Sequence, residues 1–320
     1  AAVSVRIPSG TPSGDTALTV TGLTTGTSVP VHVQVAPPAA TEVAATAEDM
    51  VYGTDGSVSV TVTSEEPAQG SVELYDGETL VASETVTDGA AEVTIPGTAL
   101  EPGSRELSVR FIGAEGFANS ATTVEFEIAK AVPVLEATVA PGTIVVANDV
   151  ATVDVTVSAD GFTPAGSVGA FIGGFLVDAA DLADGSTTLH LGPFDSVGTQ
   201  DVEIRYFGNA HAEVVSEQVS VDVVKATPTI RTKHVPSKVK VGKRARFRVV
   251  VKASNLTPTG RAQVSIRGEV YRIGKLVNGR VVFSLPRFAH PGRKVLKVTY
   301  LGDDKVAERT VQHVIQVRRR

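Results

Sequence analysis

Along the last third of the chain, apolar and polar positions alternate with a period of two. Val239, Val241, Ala245, Phe247, Val249 and Val251 fall on odd positions with polar or charged residues between them. From Arg261 to Gly268 the apolar side is Ala262, Val264 and Ile266, and 281–285, 295–300 and 311–317 continue the pattern. Side chains of a strand point alternately to its two faces, so this pattern predicts short, half-buried β-strands. No helical stretch interrupts them.

The pattern recurs. Ala68-Gln-Gly70-Ser-Val returns as Pro164-Ala-Gly166-Ser-Val and Pro258-Thr-Gly260-Arg-Ala, with the glycines 96 and 94 residues apart. Asp88-Gly89 returns as Asp184-Gly185 and Asn278-Gly279, and Arg110-Phe-Ile-Gly113 as Arg205-Tyr-Phe-Gly208 and Thr299-Tyr-Leu-Gly302. The joints repeat as Lys130-Ala-Val-Pro133 and Lys225-Ala-Thr-Pro228. A period near 95 residues is a self-sufficient domain size, unlike a solenoid repeat that must stack to bury its core. We divide the chain into residues 36–129, 130–224 and 225–320. Residues 1–35 fall outside the period; 3–7, 18–21 and 29–35 read as strands, the tail of a preceding β domain.

Each repeat holds about seven strands with a turn signal every 8 to 12 residues, the pattern of an immunoglobulin-like sandwich. The Asp-Gly and Asn-Gly pairs supply the positive φ that tight hairpin turns need. The predicted architecture is all-β: three tandem immunoglobulin-like β-sandwiches in an extended array, preceded by a partial β segment. Pro133 and Pro228 at the joints favour modules strung end to end.

The run TPAGSVGAFIGG…LADGSTTLHL…VGTQDVEIRYFGNAH, within residues 163–211, resembles bacterial Ig-like domain repeats of actinobacterial secreted and surface proteins. All three repeats carry its skeleton, although the first has Phe111-Ile-Gly113 where the family has Tyr-x-Gly. This resemblance implies a non-catalytic spacer or display region, secreted or wall-associated. Residues 1–35 resemble the C-terminal end of secreted nucleotidases and related hydrolases. That implies an alternative: an accessory region of a secreted nucleotidase or nuclease whose catalytic domain precedes residue 1. The chain opens on Ala1 and its single Met is Met50, so it reads as a processed product or a fragment.

Composition narrows the chemistry. With no Cys there are no disulfides, thiolate metal sites or Cys nucleophiles. With no Trp, the sandwich cores rest on aliphatic packing. The longest apolar run, 168–177, is too short to span a membrane as a helix. The six histidines (His32, His190, His211, His234, His290 and His313) lack metal-ligand spacing and read as satisfied or surface residues. The pairs Glu65-Glu66 and Asp303-Asp304 lack the surrounding pattern of a calcium loop. No nucleophile elbow, phosphate-binding loop or dinucleotide fingerprint is present. No catalytic residue, metal ligand or cofactor is expected. An adhesin acting through its loops would need an exposed apolar patch, and none is evident in the sequence.

Charge is the informative feature. Residues 226–320 hold 23 Lys and Arg against four acids, net +19, while 1–225 hold 6 against 31, net −25. The sign changes at a repeat joint. Lys238, Lys240, Arg244, Arg246, Arg248 and Lys252 all take even positions, opposite the apolar odd ones. Residues i and i+2 share a strand face about 6.6 Å apart, so two successive strands, or one with a turn at Gly242, would display a cationic ladder. Two readings fit it. The ladder binds polyanions such as teichoic acid or another anionic envelope polymer, with an affinity that falls steeply with salt. Alternatively, the cations keep the face soluble and block edge pairing. Sequence-specific nucleic-acid binding is not expected, because there is no recognition helix and stacking aromatics are few.

Overall fold

The computed structural model describes residues 12–21 and 26–319, with the backbone alone at Thr16 and Val20. The strand expected over 3–7, and Arg320, lie outside the described residues. Two compact units emerge. The first runs up to Pro133 and includes the loops Ser158–Pro164 and Gly208–Glu213; the second holds the remainder.

In the first unit, β1 (Gly14–Thr21) and β2 (Ser28–Val35) form a two-stranded antiparallel sheet. Then come β3 (Glu42–Ala47), β4 (Met50–Val51), β5 (Gly56–Thr63), β6 (Gly70–Asp76), β7 (Thr79–Val86), β8 (Ala90–Ile95), β9 (Gly103–Gly113) and β10 (Ser120–Ala129). They make a three-stranded sheet, β3-β5-β8, and a five-stranded sheet, β4-β10-β9-β6-β7. The inward positions of both sheets meet in one core: Val58, Val60, Val62 and Val93 on one side, Val72, Leu74, Leu107, Val109 and Phe111 on the other. Fully burying one such side chain stabilises by about 1.5–3 kcal/mol, so period-two alternation suffices to close the sandwich without a disulfide.

The second unit repeats this plan twice. Its first copy is β11 (Val134–Ala140), β12 (Thr143–Val145), β13 (Ala151–Ser158), β14 (Ser167–Ile172), β15 (Phe175–Asp181), β16 (Ser186–Leu191), β17 (Gly198–Tyr206) and β18 (Val215–Val224). The second copy is β19 (Thr229–Lys233), β20 (Lys238–Lys240), β21 (Arg246–Lys252), β22 (Arg261–Ile266), β23 (Glu269–Lys275), β24 (Arg280–Ser284), β25 (Gly292–Tyr300) and β26 (Arg309–Arg318). The sheets are β11-β13-β16 with β12-β18-β17-β14-β15, and β19-β21-β24 with β20-β26-β25-β22-β23. In each repeat the short second strand pairs parallel to the last, as an immunoglobulin-like sandwich requires of a strand that switches sheets. Each repeat also breaks register at one matching place: after Leu74, after Ala170 and after Val264.

The repeated hairpin turns have the expected geometry. Asp88, Asp184 and Asn278 stand at φ 53°, 50° and 50°, and the glycines after them at 77°, 74° and 68°. Two consecutive positive φ values define the type I′ turn, whose twist matches that of the flanking strands. The fold is therefore all-β, with three immunoglobulin-like sandwiches.

Candidate polyanion-binding face

The six cations expected to form one ladder are divided by the sandwich. Lys238 and Lys240 lie on β20, at the edge of the five-stranded sheet, where they pair in register with Gln316 and Arg318 of β26. Arg246, Arg248 and Lys252 lie on β21, in the middle of the three-stranded sheet. Arg244 precedes β21 in the connection between the two sheets. The connection turns at Gly242 (φ 74°), and there the chain changes sheets and does not extend a single strand. Alternation along the chain records the period of each strand but not which sheet the strand joins.

What the fold assembles is a face and not a ladder. On β21, Phe247, Val249 and Val251 point into the core, which leaves Arg246, Arg248 and Lys252 exposed on the outer side. Residues directly opposite in antiparallel strands share a face. Lys233 lies opposite Arg248, Arg231 opposite Val250, and Arg280 opposite Val250 from the other side. The outer face of β19-β21-β24 therefore carries Arg231, Lys233, Arg246, Arg248, Lys252 and Arg280, all exposed. No acid stands on these three strands, and none of the six cations joins an ion pair among the described residues. Neighbouring strands are about 4.8 Å apart, so the cations fill a compact area. Arg231, Lys233 and Arg280 were not singled out in the sequence. The signal for the first two was Ile230, the inward residue that sets the phase of β19; Arg280 needed the β21–β24 pairing.

The same face in the other repeats is an internal control. On β3-β5-β8 it shows Glu42, Ala44, Thr46, Ser57, Ser59, Thr61, Thr63, Ala90, Glu92 and Thr94. On β11-β13-β16 it shows Glu136, Thr138, Thr152, Asp154, Thr156, Thr188 and His190. Neither carries a Lys or Arg. Solubility is met there by Thr, Ser and a few acids, so a folded sandwich of this kind does not need cations on that face.

Four of the six histidines have ordinary partners. His211 stacks on Tyr52 at 4.3 Å and lies 2.7 Å from Glu101; His32 meets Asp15, His190 meets Asp178, and His313 meets Thr232. Asp303 is spent on its own loop. Its Oδ2 accepts from the Thr259 N–H at 2.8 Å and the Thr259 hydroxyl at 2.9 Å; its Oδ1 accepts from the N–H groups of Lys305 and Val306. Burial alone would raise this acid, but those donors, with the adjoining Tyr300 hydroxyl, hold it below the usual carboxylate range. Burial, and then the Asp303 carboxylate, push the Tyr300 phenol well above its ordinary value. In the preceding repeat Asn209 does the same work, its Oδ1 accepting from the N–H groups of His211 and Ala212. Among the described residues no cluster of His, Asp and Glu is arranged to hold a metal ion. One expectation needs correction: β15, an edge strand, exposes consecutive apolar residues, with Phe175 79% exposed and Leu176 and Val177 about half exposed. The sequence shows the apolar run but not that the strand carrying it lies at a sheet edge.

No curated protein matches the chain. Among solved structures it is similar to the I-band fragment I67–I69 of titin, at 13% identity over 89% of this chain and 100% of that chain, TM-score 0.37. It is also similar to a structure from a 1.5-MDa bacterial ice-binding adhesin, at 14% identity over 89% and 99%, TM-score 0.32. The Escherichia coli adhesin FdeC matches at 15% identity over 89% and 99%, TM-score 0.29. Residues 43–129, which are the first sandwich from β3 to β10, match the family described as Bacterial Ig-like domain (group 3).

Proposed function

We propose that this chain is an extracellular bacterial Ig-like spacer and display region, retained on anionic envelope polymers by its last repeat. One observation carries the reading: a sheet face that bears no Lys or Arg in the first two repeats bears six in the third. The match of residues 43–129 to a bacterial Ig-like domain agrees with an extracellular, non-enzymatic role. The mechanism is electrostatic. Each Lys or Arg that meets a phosphate displaces condensed counterions, and many weak contacts sum to retention. Because such a face reads the spacing of charge and not base edges, it takes teichoic acid, heparin and DNA with little discrimination.

The test is retention of the full chain on heparin and on isolated cell wall across a salt gradient. One variant changes Arg231, Lys233, Arg246, Arg248, Lys252 and Arg280 to Thr, the residue that dominates this face in the other repeats. A second changes Lys238, Lys240 and Arg244 to Ser. The Thr variant should elute at clearly lower salt than the parent and the Ser variant close to it. Equal elution of a folded Thr variant and the parent removes the face from the mechanism.

A further inference from the structure

In the third repeat a cavity of about 610 Å³ opens between the β22–β23 turn and the connection from β24 to β25. Binding sites for small ligands run about 300–1,000 Å³, so the space is adequate for one. Lys294 lines it. It takes an inward position on β25, in phase with the buried Leu296 and Val298, and is only 8% exposed. It makes no hydrogen bond or ion pair with any described residue. Among the described residues the enclosed side-chain polar atoms without a partner are the Tyr300 hydroxyl and one Glu217 oxygen, so the Lys294 stem is buried while its ammonium group reaches the open cavity with no protein anion beside it.

The other repeats show how this position is ordinarily settled. Two residues after the matching glycine, the first repeat has Arg105, which donates to the carbonyl oxygens of Glu101 and Pro102 and lies 3.9 Å from the Asp76 carboxylate. The second repeat has the neutral Gln200. The third keeps a cation but has Ile266 at the place of Asp76, so the internal counter-ion is gone. Arg267 and Arg287 also line the cavity, against a single acid, Glu269. Counting its Lys, Arg and Glu side chains alone, the lining sums to +2.

We propose that this cavity binds a phosphate monoester, with the phosphate dianion seated on Lys294, Arg267 and Arg287 and the organic part against Tyr271. A net +2 lining matches a dianion better than a carboxylate, and the forked donors of arginine suit phosphate oxygens. The site stands apart from the basic sheet face and does not depend on it.

Calorimetric titration of the full chain with glycerol 3-phosphate tests this, with glycerol and acetate as comparison ligands. Saturable 1:1 binding is expected for the phosphate ester, with acetate at least about tenfold weaker. Lys294→Gln should lower affinity about tenfold or more. Ile266→Asp, which restores the acid of the first repeat, should do the same. If Lys294→Gln fails to fold, Arg287→Gln, at an exposed side chain, decides by the same loss. The Thr variant of the sheet face should bind the ester as the parent does, and Lys294→Gln should stay on heparin, so the two readings can fail separately. No binding by the parent up to about 10 mM, equal binding of acetate, or undiminished binding by the folded Lys294 or Arg287 variant overturns the proposal.

Discussion

Asp303 shows at one residue how a charged side chain in a basic domain is committed to structure. Four donors fill its two oxygens and tie the loop after β25 to the one before β22. Its folded pKa lies below the unfolded value near 3.9, so its contribution is complete above that value and disappears as pH falls through the folded one. Asp303→Asn keeps one acceptor and places an NH2 against donors, which should cost about 1–3 kcal/mol at pH 7. The gap between parent and variant should close as pH falls below about 4. Hydrogen exchange at the β25 amides reports both. Asp304 is exposed beside it, and Asp304→Asn should stay within about 0.5 kcal/mol. If Asp303→Asn proves equally mild, the loop-tying account is wrong.

The elements were the most legible level in the sequence. Period-two alternation located the strands, and Asp-Gly or Asn-Gly located the turns, because only residues tolerant of positive φ close a type I′ hairpin. Gly279 bears this out physically: at φ +68°, an added Cβ would stand 2.7 Å from the Val251 carbonyl oxygen. Gly268 also has positive φ, at +91°, but meets nothing within 4 Å. Gly279→Ala should therefore destabilise the third repeat by about 2–3 kcal/mol and Gly268→Ala by about 1, measured by equilibrium unfolding. Equal costs would mean that φ strain, and not crowding against β21, sets the penalty. The site was less legible. Alternation placed Arg246, Arg248 and Lys252 on one face of β21 correctly, yet joined them to Lys238 and Lys240, which belong to the other sheet. Arg231 and Arg280 reach the same face only through long-range pairing with Val250. Lys294 was hidden for a different reason: its phase marks it as a core position, and its missing counter-ion appears only when the three sandwiches are compared residue by residue.

Over the whole molecule, the charge division is the property that the individual sandwiches do not explain. Residues 1–225 carry net −25 and 226–320 net +19, so the two parts carry opposite signs. Retention by the basic sheet face requires counterion release. The most direct measurement is the slope of log affinity against log salt concentration for the full chain on a flexible polyphosphate, beside the Thr variant of the β19-β21-β24 face. With up to six phosphate contacts on that face, the parent's slope should be steeper than the variant's by up to about 4. Identical slopes for the parent and a folded variant would contradict the assignment of polyanion binding to this face.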